Sequence, residues 1–286
     1  VGTSLTITGR WPANQHTKTL LVNSISGSDY GKPIDYVATV NGQEVSNWKI
    51  FYNDRKYVYI ILDDYLPANL VPTATGLTTN PSDNPYSVWH TSSRVELIRS
   101  LTSQSCWSEF ANGVVGAIAC GGPTNKQFVA SWNTNPAVNS RKLQVDTPYT
   151  SVTNGVLSDP TKLYIPRTES VSNCTGYWML SDYKYSISEV WRITYGGIVN
   201  YNYYNYEYLG IRPVVLLPAD TLGIVGETVK ISYTLKVNPN GGSWEEKTTN
   251  STFNLVSGET KTIVNPTRTG YTFGGWTVSR TGGSVS

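Results

Sequence analysis

The pattern of apolar and polar positions divides the chain into strand-rich flanks around a short helical centre. Tyr36-Val37-Ala38-Thr39-Val40, Trp48-Lys49-Ile50-Phe51-Tyr52 and Tyr57-Val58-Tyr59-Ile60-Ile61-Leu62 are runs of β-branched and aromatic residues and predict strands. Asn53-Asp54 joins the last two as a hairpin. Pro67, Pro72, Pro81 and Pro85 then make Leu66 to Pro85 a loop. Two capping boxes announce helices: Ser93-x-x-Glu96 with Val95, Leu97, Ile98 and Leu101, and Thr124-x-x-Gln127 with Phe128, Val129 and Trp132, stopped by Pro136. From Tyr177 strands return. Glu189 to Thr194 alternates, Gly196-Gly197 supplies a turn, and Ile211 to Leu217 reads as a buried strand whose start Pro213 pushes to an edge or a bulge. Beyond Glu227, Tyr233 to Val237 alternates and ends at Asn238-Pro239-Asn240-Gly241-Gly242, with short strands and turns continuing to Trp276. Local Pro/Gly content places a boundary near Pro218 to Gly226. The pattern therefore predicts an α+β domain followed by a small β-rich one.

Composition narrows the class. The 286 residues suit one large domain or two ordinary ones. Charged residues are 15%, against a usual value of about 25%, and aromatics are 12%, a balance that argues against intrinsic disorder. The longest apolar run, Tyr57 to Leu62, falls far short of the roughly 20 residues that span a bilayer, so no direct membrane insertion is expected. The chain opens on Val1 without a charged-then-apolar leader, and a processed or excised product is expected. The net charge of +2 arises downstream of Gly223, where six Lys/Arg face four acids; the remainder is neutral. A neutral body lacks the phosphate-neutralising charge that dominates nucleic-acid affinity, so nucleic acid is not an expected partner.

Catalytic chemistry is thinly provisioned. The two histidines, His16 and His90, are not at metal-ligand spacing, no Cys-x-x-Cys occurs, and the phosphate-loop, dinucleotide, nucleophile-elbow and zincin motifs are missing. His90, just ahead of a helix start, reads as structural. No metal, cofactor or catalytic residue is therefore expected. Of three cysteines, Cys106 and Cys120 flank one short connection and form the expected disulfide pair, leaving Cys174. Asp63-Asp64 at a strand end cannot readily act as an acid/base pair, because adjacent strand residues face opposite ways; they read as a solvated strand end.

One segment stands apart. Eight of the chain's 20 tyrosines fall between Asp182 and Tyr208, and Asn200-Tyr201-Asn202-Tyr203-Tyr204-Asn205-Tyr206-Glu207-Tyr208 is nearly all Tyr and Asn. A buried strand would leave each phenol and amide in need of a partner, so the segment is expected to be at least partly exposed. Tyr with Asn is paratope chemistry: a large, rigid, amphipathic ring at low entropy cost beside an adaptable hydrogen-bonding amide. The plainer reading is a cross-strand tyrosine ladder decorating an ordinary sheet.

Gly176-Tyr177-Trp178-Met179-Leu180-Ser181, Val190-Trp191-Arg192-Ile193 and Gly210-Ile211-Arg212-Pro213-Val214-Val215-Leu216 together resemble the end of a bacterial C-type-lectin-fold domain of the group related to formylglycine-generating enzymes. The Trp48-to-Pro67 hairpin and the Gly121-Gly122-Pro123-Thr124 helix start are similar to the same group, over roughly residues 30 to 218. This group includes the variable proteins of diversity-generating retroelements, whose hypervariable codons descend from Asn-type templates by adenine-specific mutagenesis and cluster between fixed framework residues. The resemblance implies ligand-facing, variable positions at Asp182, Tyr183, Tyr185, Tyr195, Asn200, Tyr201, Asn202, Tyr203, Tyr204, Asn205, Tyr206 and Tyr208, with Trp178, Trp191, Gly210 and Arg212 as scaffold. The Glu-Pro-Asn and Gln-Pro-Asp motifs of calcium-dependent lectins do not occur, and Trp132-Asn133-Thr134 half-resembles their Trp-Asn-Asp at a predicted helix end. No match to the reactive cysteine pair of the formylglycine-generating oxidases is evident.

Val237-Asn238-Pro239-Asn240-Gly241-Gly242 and Pro266 to Trp276 resemble the internalin-type B-repeat of bacterial surface proteins. That likeness implies a β-grasp-like spacer, cut before its last strand at Ser286, and an exported, surface-displayed protein (or a phage particle). The expected organisation is a C-type lectin fold with two helices and a mixed or antiparallel sheet over residues 1–220, and the repeat over 221–286. The expected function is non-enzymatic binding of a protein or polysaccharide on another cell or host surface. The rivals are a self-associating subunit of a surface assembly, an invariant adhesin of the same fold, and an enzyme using one of the cysteines.

Overall fold

The computed structural model describes residues 4–8, 25–79, 85–89, 92–138, 142–148, 157–171, 174–225, 228–243, 247–256 and 259–281. Both histidines lie outside them. The architecture is α+β, with two α-helices and both mixed and antiparallel sheets among the described residues. In chain order the strands are β1 (Ser4–Thr8), β2 (Pro33–Asp35), β3 (Ala38–Val40), β4 (Gln43–Val45), β5 (Trp48–Asn53), β6 (Tyr57–Leu62), β7 (Thr78–Thr79), β8 (Val88–Trp89) and β9 (Ile118–Cys120). There follow β10 (Gly176–Asp182), β11 (Glu189–Thr194), β12 (Val199–Tyr203), β13 (Val214–Pro218), β14 (Leu222–Val225), β15 (Thr228–Asn238), β16 (Ser251–Val256) and β17 (Thr277–Thr281). The helices are α1 (Arg94–Thr102) and α2 (Asn125–Thr134).

Contacts group the chain into two compact units. The larger comprises Ile25–Ala111 and Ile118–Leu216; the smaller takes Leu217–Ser286 together with the strand Ser4–Thr8 and the segment Asn112–Ala117. β1 runs parallel to β15, Leu5 beside Leu235, and antiparallel to β17. Such a pairing spans most of the chain, and no local pattern announces it.

In the larger unit the strand order is β2-β5-β6-β13-β9, with β10-β11-β12 as a separate antiparallel sheet and two-stranded β3-β4 and β7-β8. Tyr36 and Val37 leave the run expected to be a single strand, because Tyr36 is buried and its hydroxyl donates to the Phe110 carbonyl. From Leu66 to Thr79 the chain is loop, as Pro67 and Pro72 favour, apart from two single 3-10 turns and the short β7; residues 80–84 of the expected loop lie outside the described residues. Helix α1 starts where the Ser93 hydroxyl accepts from the Glu96 amide at 3.2 Å; Leu97 and Leu101 are buried and Val95 points to solvent. The box of α2 is complete, with the Gln127 amide donating to Thr124 Oγ1 and the Thr124 amide to Gln127 Oε1. Phe128 and Trp132 then pack on Tyr164, with ring centroids 5.3 and 5.0 Å away.

Arg212 knits this unit together. It is 0% exposed. Its guanidinium donates to the Leu62 carbonyl through Nε at 3.0 Å and Nη2 at 2.8 Å, and to the Leu163 carbonyl through Nη1 at 2.8 Å, and it lies over the Tyr177 ring. A planar fork of donors suits such a carbonyl cage, whereas a lysine would place one compact charge there. This use of Arg212, with Pro213 beside it, explains why the strand expected from Ile211 begins at Val214.

In the smaller unit Leu235 and Val237 are buried against Phe253, Leu255, Ile263 and Trp276, so the alternation read in β15 is the alternation of its buried face. The Asn238-to-Gly242 turn uses positive φ at Asn240 (48°) and Gly241 (76°).

Candidate ligand-binding face

Strand β10 is held on both sides. Along β11, Tyr177 pairs with Ile193 and Trp178 with Arg192. On the other side the Gly210 amide donates to the Gly176 carbonyl at 2.8 Å, and the Trp178 amide to the Gly210 carbonyl at 3.1 Å. Close approach requires glycine at 176, where a Cβ would stand 2.0 Å from the Ile193 carbonyl oxygen. Tyr177, Trp178 and Trp191 are fully buried, so the base of the three-stranded sheet is core.

The Tyr/Asn segment sits on the outer part of that sheet. None of the twelve candidate positions is buried: Asp182, Tyr185, Tyr203 and Asn205 are exposed, and Tyr183, Tyr195, Asn200, Tyr201, Asn202, Tyr204, Tyr206 and Tyr208 are half-buried. Trp191 stands opposite Tyr201 and Arg192 opposite Asn200 in the β11–β12 register. Adjacent strand residues face opposite ways, so the segment divides into two groups.

The first group surrounds the β10–β11 turn. The Tyr183 ring stacks on Tyr201 with centroids 3.7 Å apart and planes 12° apart, and it meets Tyr185 and Trp191 edge-on at 5.5 and 5.6 Å. The hydrogen bond with Tyr201 raises the pKa of the Tyr183 phenol above its ordinary value. Arg94, the first residue of α1, holds the turn. Its Nη1 donates to the carbonyls of Ser186 and Tyr183 and lies 3.5 Å from the Asp182 carboxylate. The Tyr204 amide donates to the Ser188 carbonyl at 2.9 Å, bringing the end of β12 beside the turn. Around this point Tyr185 is 72%, Ile187 88% and Tyr203 59% exposed.

The second group surrounds Arg192. Its Nε donates to Asn200 Oδ1 at 2.8 Å, the Tyr206 ring lies 5.4 Å from the guanidinium carbon, and Tyr206 meets Tyr208 edge-on at 5.5 Å. Burial lowers the Arg192 pKa, with Tyr206 opposing the shift. Asn202 is turned inward along its own backbone, its Oδ1 accepting the Tyr203 amide. Tyr195 lies at the far turn, its amide on the Thr175 carbonyl, while the Thr175 amide donates to Tyr208. The structure thus sorts the twelve into a turn cluster that includes Tyr183, Tyr185 and Tyr201 and a second cluster of Asn200, Tyr206 and Tyr208 around Arg192, sets Tyr195 at the far turn, and adds three residues that were not among the twelve: Arg94, Ile187 and Arg192. Arg192 was legible in principle, since alternation alone sets it on the face opposite Trp191.

The remaining candidate chemistry is dispersed. The three cysteines are free, against the expected Cys106–Cys120 disulfide. Cys106 Sγ instead donates to the Ala74 carbonyl and Cys120 Sγ to Gly122, while Cys174 is buried. Asp63 pairs with Lys49 and Asp64 with Arg167, each on its own partner. Among the described residues no three His, Cys, Asp or Glu side chains are placed to hold a metal ion, and no helix is long and apolar enough to cross a membrane. No protein-family model, no curated protein and no solved structure matches this chain.

Proposed function

We propose that this is a non-enzymatic ligand-binding protein whose larger unit is a C-type-lectin-type frame of the diversity-generating retroelement kind. Its binding face is the Tyr/Asn segment from Asp182 to Tyr208. The smaller unit is read as a β-grasp-like surface repeat acting as a stalk, which makes the protein extracellular and surface-displayed, or part of a phage particle. One observation carries the reading. Within a short stretch of chain Trp178, Trp191 and Arg212 are fully buried, while none of the twelve interleaved Tyr, Asn and Asp positions is. Such a division lets the face change its specificity while the packed frame stays the same. Tyrosines already held by stacking lose little freedom on binding, which favours affinity.

The test is the fourfold Tyr201→Ser, Tyr203→Ser, Tyr204→Ser, Tyr206→Ser variant, displayed against peptide and glycan arrays. The account expects a folded variant that no longer captures what the wild type captures; loss of the fold would make these tyrosines core and end the proposal. A second reading draws on the exposed Tyr185, Ile187 and Tyr203, since an apolar patch of this kind also suits self-association. Light scattering that shows concentration-dependent oligomers, lost in the same variant, would favour it.

A further inference from the structure

Among the described residues Arg192 has no counter-charge. Among the described residues the side-chain ion pairs are Lys32–Asp29, Lys49–Asp63, Arg94–Asp182, Arg99–Glu96, Arg167–Asp64 and Lys184–Asp146. None includes Arg192. Its partners are neutral: Asn200 Oδ1 on Nε, and Tyr206 through both its ring and a side-chain hydrogen bond. The half-buried guanidinium is thus partly stripped of water and held in one orientation by an amide and a tyrosine, with no carboxylate among the described residues to satisfy it. With one donor on Asn200 and one shared with Tyr206, the five-donor guanidinium retains N–H groups whose planar geometry matches a carboxylate. Holding the fork in advance reduces the entropy lost when that contact forms.

We infer that Arg192, framed by Asn200, Tyr206 and Tyr208, is a subsite for a carboxylate, and that the carboxylate is an Asp or Glu side chain of a protein partner. This rests on the proposed binding face and adds the chemistry it selects. A protein, rather than an acidic glycan, is favoured by the exposed turn that leads into β11, the strand carrying Arg192. Ile187 at 88% exposure offers an aliphatic surface that sugar hydroxyls would not repay, whereas apolar protein side chains would cover it. The guanidinium supplies charge selection, and the tyrosines supply area.

The probes are an array of random dodecapeptides and an array of neutral, uronic-acid and sialic-acid glycans, read with wild type, Arg192→Gln, Arg192→Lys and the fourfold tyrosine variant. All would be checked for an unchanged circular-dichroism spectrum. The expected result is retention of Asp- or Glu-containing peptides, weakened about 10- to 100-fold in Arg192→Gln and less in Arg192→Lys. Amide replacement of the acid in a retained peptide would weaken wild type equally and leave Arg192→Gln unchanged. Retention of peptides irrespective of acid content, lost in the tyrosine variant alone, would overturn the carboxylate subsite and leave the face standing. Retention of acidic glycans alone would overturn the protein partner. No retention on either array, or retention that the tyrosine variant shares, would overturn the binding face itself. A misfolded Arg192→Gln leaves Arg192→Lys and the amide-replaced peptide to decide.

Discussion

Replacing Tyr203, Tyr201 and Trp191 one at a time grades the proposed division between face and frame. Tyr203 is 59% exposed and enters no ring pair among the described residues, so Tyr203→Ser should change stability by no more than about 0.5 kcal/mol. Tyr201 stacks on Tyr183 and meets Trp191 edge-on at 6.2 Å. Two such aromatic contacts at about 0.5–1.5 kcal/mol each put Tyr201→Ser near 1–3 kcal/mol. Trp191 is fully buried in the same column, and its truncation to Ala should cost about 3–5 kcal/mol. For a unit of this size each kcal/mol moves the melting temperature by about 2–4 °C. The three variants should therefore melt within about 2 °C of wild type, about 2–12 °C lower and about 6–20 °C lower, respectively. Urea unfolding followed by near-ultraviolet circular dichroism gives the same order independently. If Tyr203→Ser fell as far as Trp191→Ala, the outer tyrosine would be part of the frame and the reasoning would fail.

Three further outcomes follow from the same geometry. Arg212→Met leaves the buried Leu62 and Leu163 carbonyls short of donors and should lower unfolding free energy by about 2–4 kcal/mol; a variant as stable as wild type in urea would refute the cage's role. Burial pushes the Cys120 thiol up to about 12 and the Cys174 thiol up to about 11, so at neutral pH a disulfide reagent should react quickly with at most one thiol in the native protein and with all three after denaturation. Two fast native thiols would revive the enzymatic alternative. Burial raises the Tyr177 phenol to about 12 and shifts Tyr36, Tyr65 and Tyr164 in the same direction. These neutral phenols contribute fully below the unfolded value of about 10, and that contribution is lost as pH climbs through the folded value of about 12. Absorbance at 295 nm should show a tyrosine fraction ionising only as tertiary structure disappears; complete ionisation with the fold intact would contradict the burial.

Local chemistry was legible where a local signal controls the outcome. Tyr57–Leu62 and Glu189–Thr194 form strands over the expected residues, and α1 and α2 begin at their capping residues because a side chain three positions away satisfies the first free amides. The exposure of the Tyr/Asn run was legible too, since so many phenols and amides could not all find partners in a core. What stayed hidden depends on residues far apart in the chain. The Arg212 cage draws on carbonyls in other elements, the parallel pairing of Ser4–Thr8 joins opposite ends of the chain, and Cys106 and Cys120 each find a backbone carbonyl instead of one another. The splitting of the tyrosines into a stack beside Trp191 and a cradle around Arg192 needed the strand register, which no single strand carries.

The central claim is that the Asp182-to-Tyr208 segment is an exchangeable face on a fixed frame, and sequencing codons 175 to 215 in many natural copies of the locus tests it most directly. The account predicts substitutions concentrated at adenine positions of the Tyr and Asn codons, with Trp178, Trp191, Gly210 and Arg212 constant. An invariant window, or substitutions falling as often on those buried residues as on the tyrosines, would contradict it.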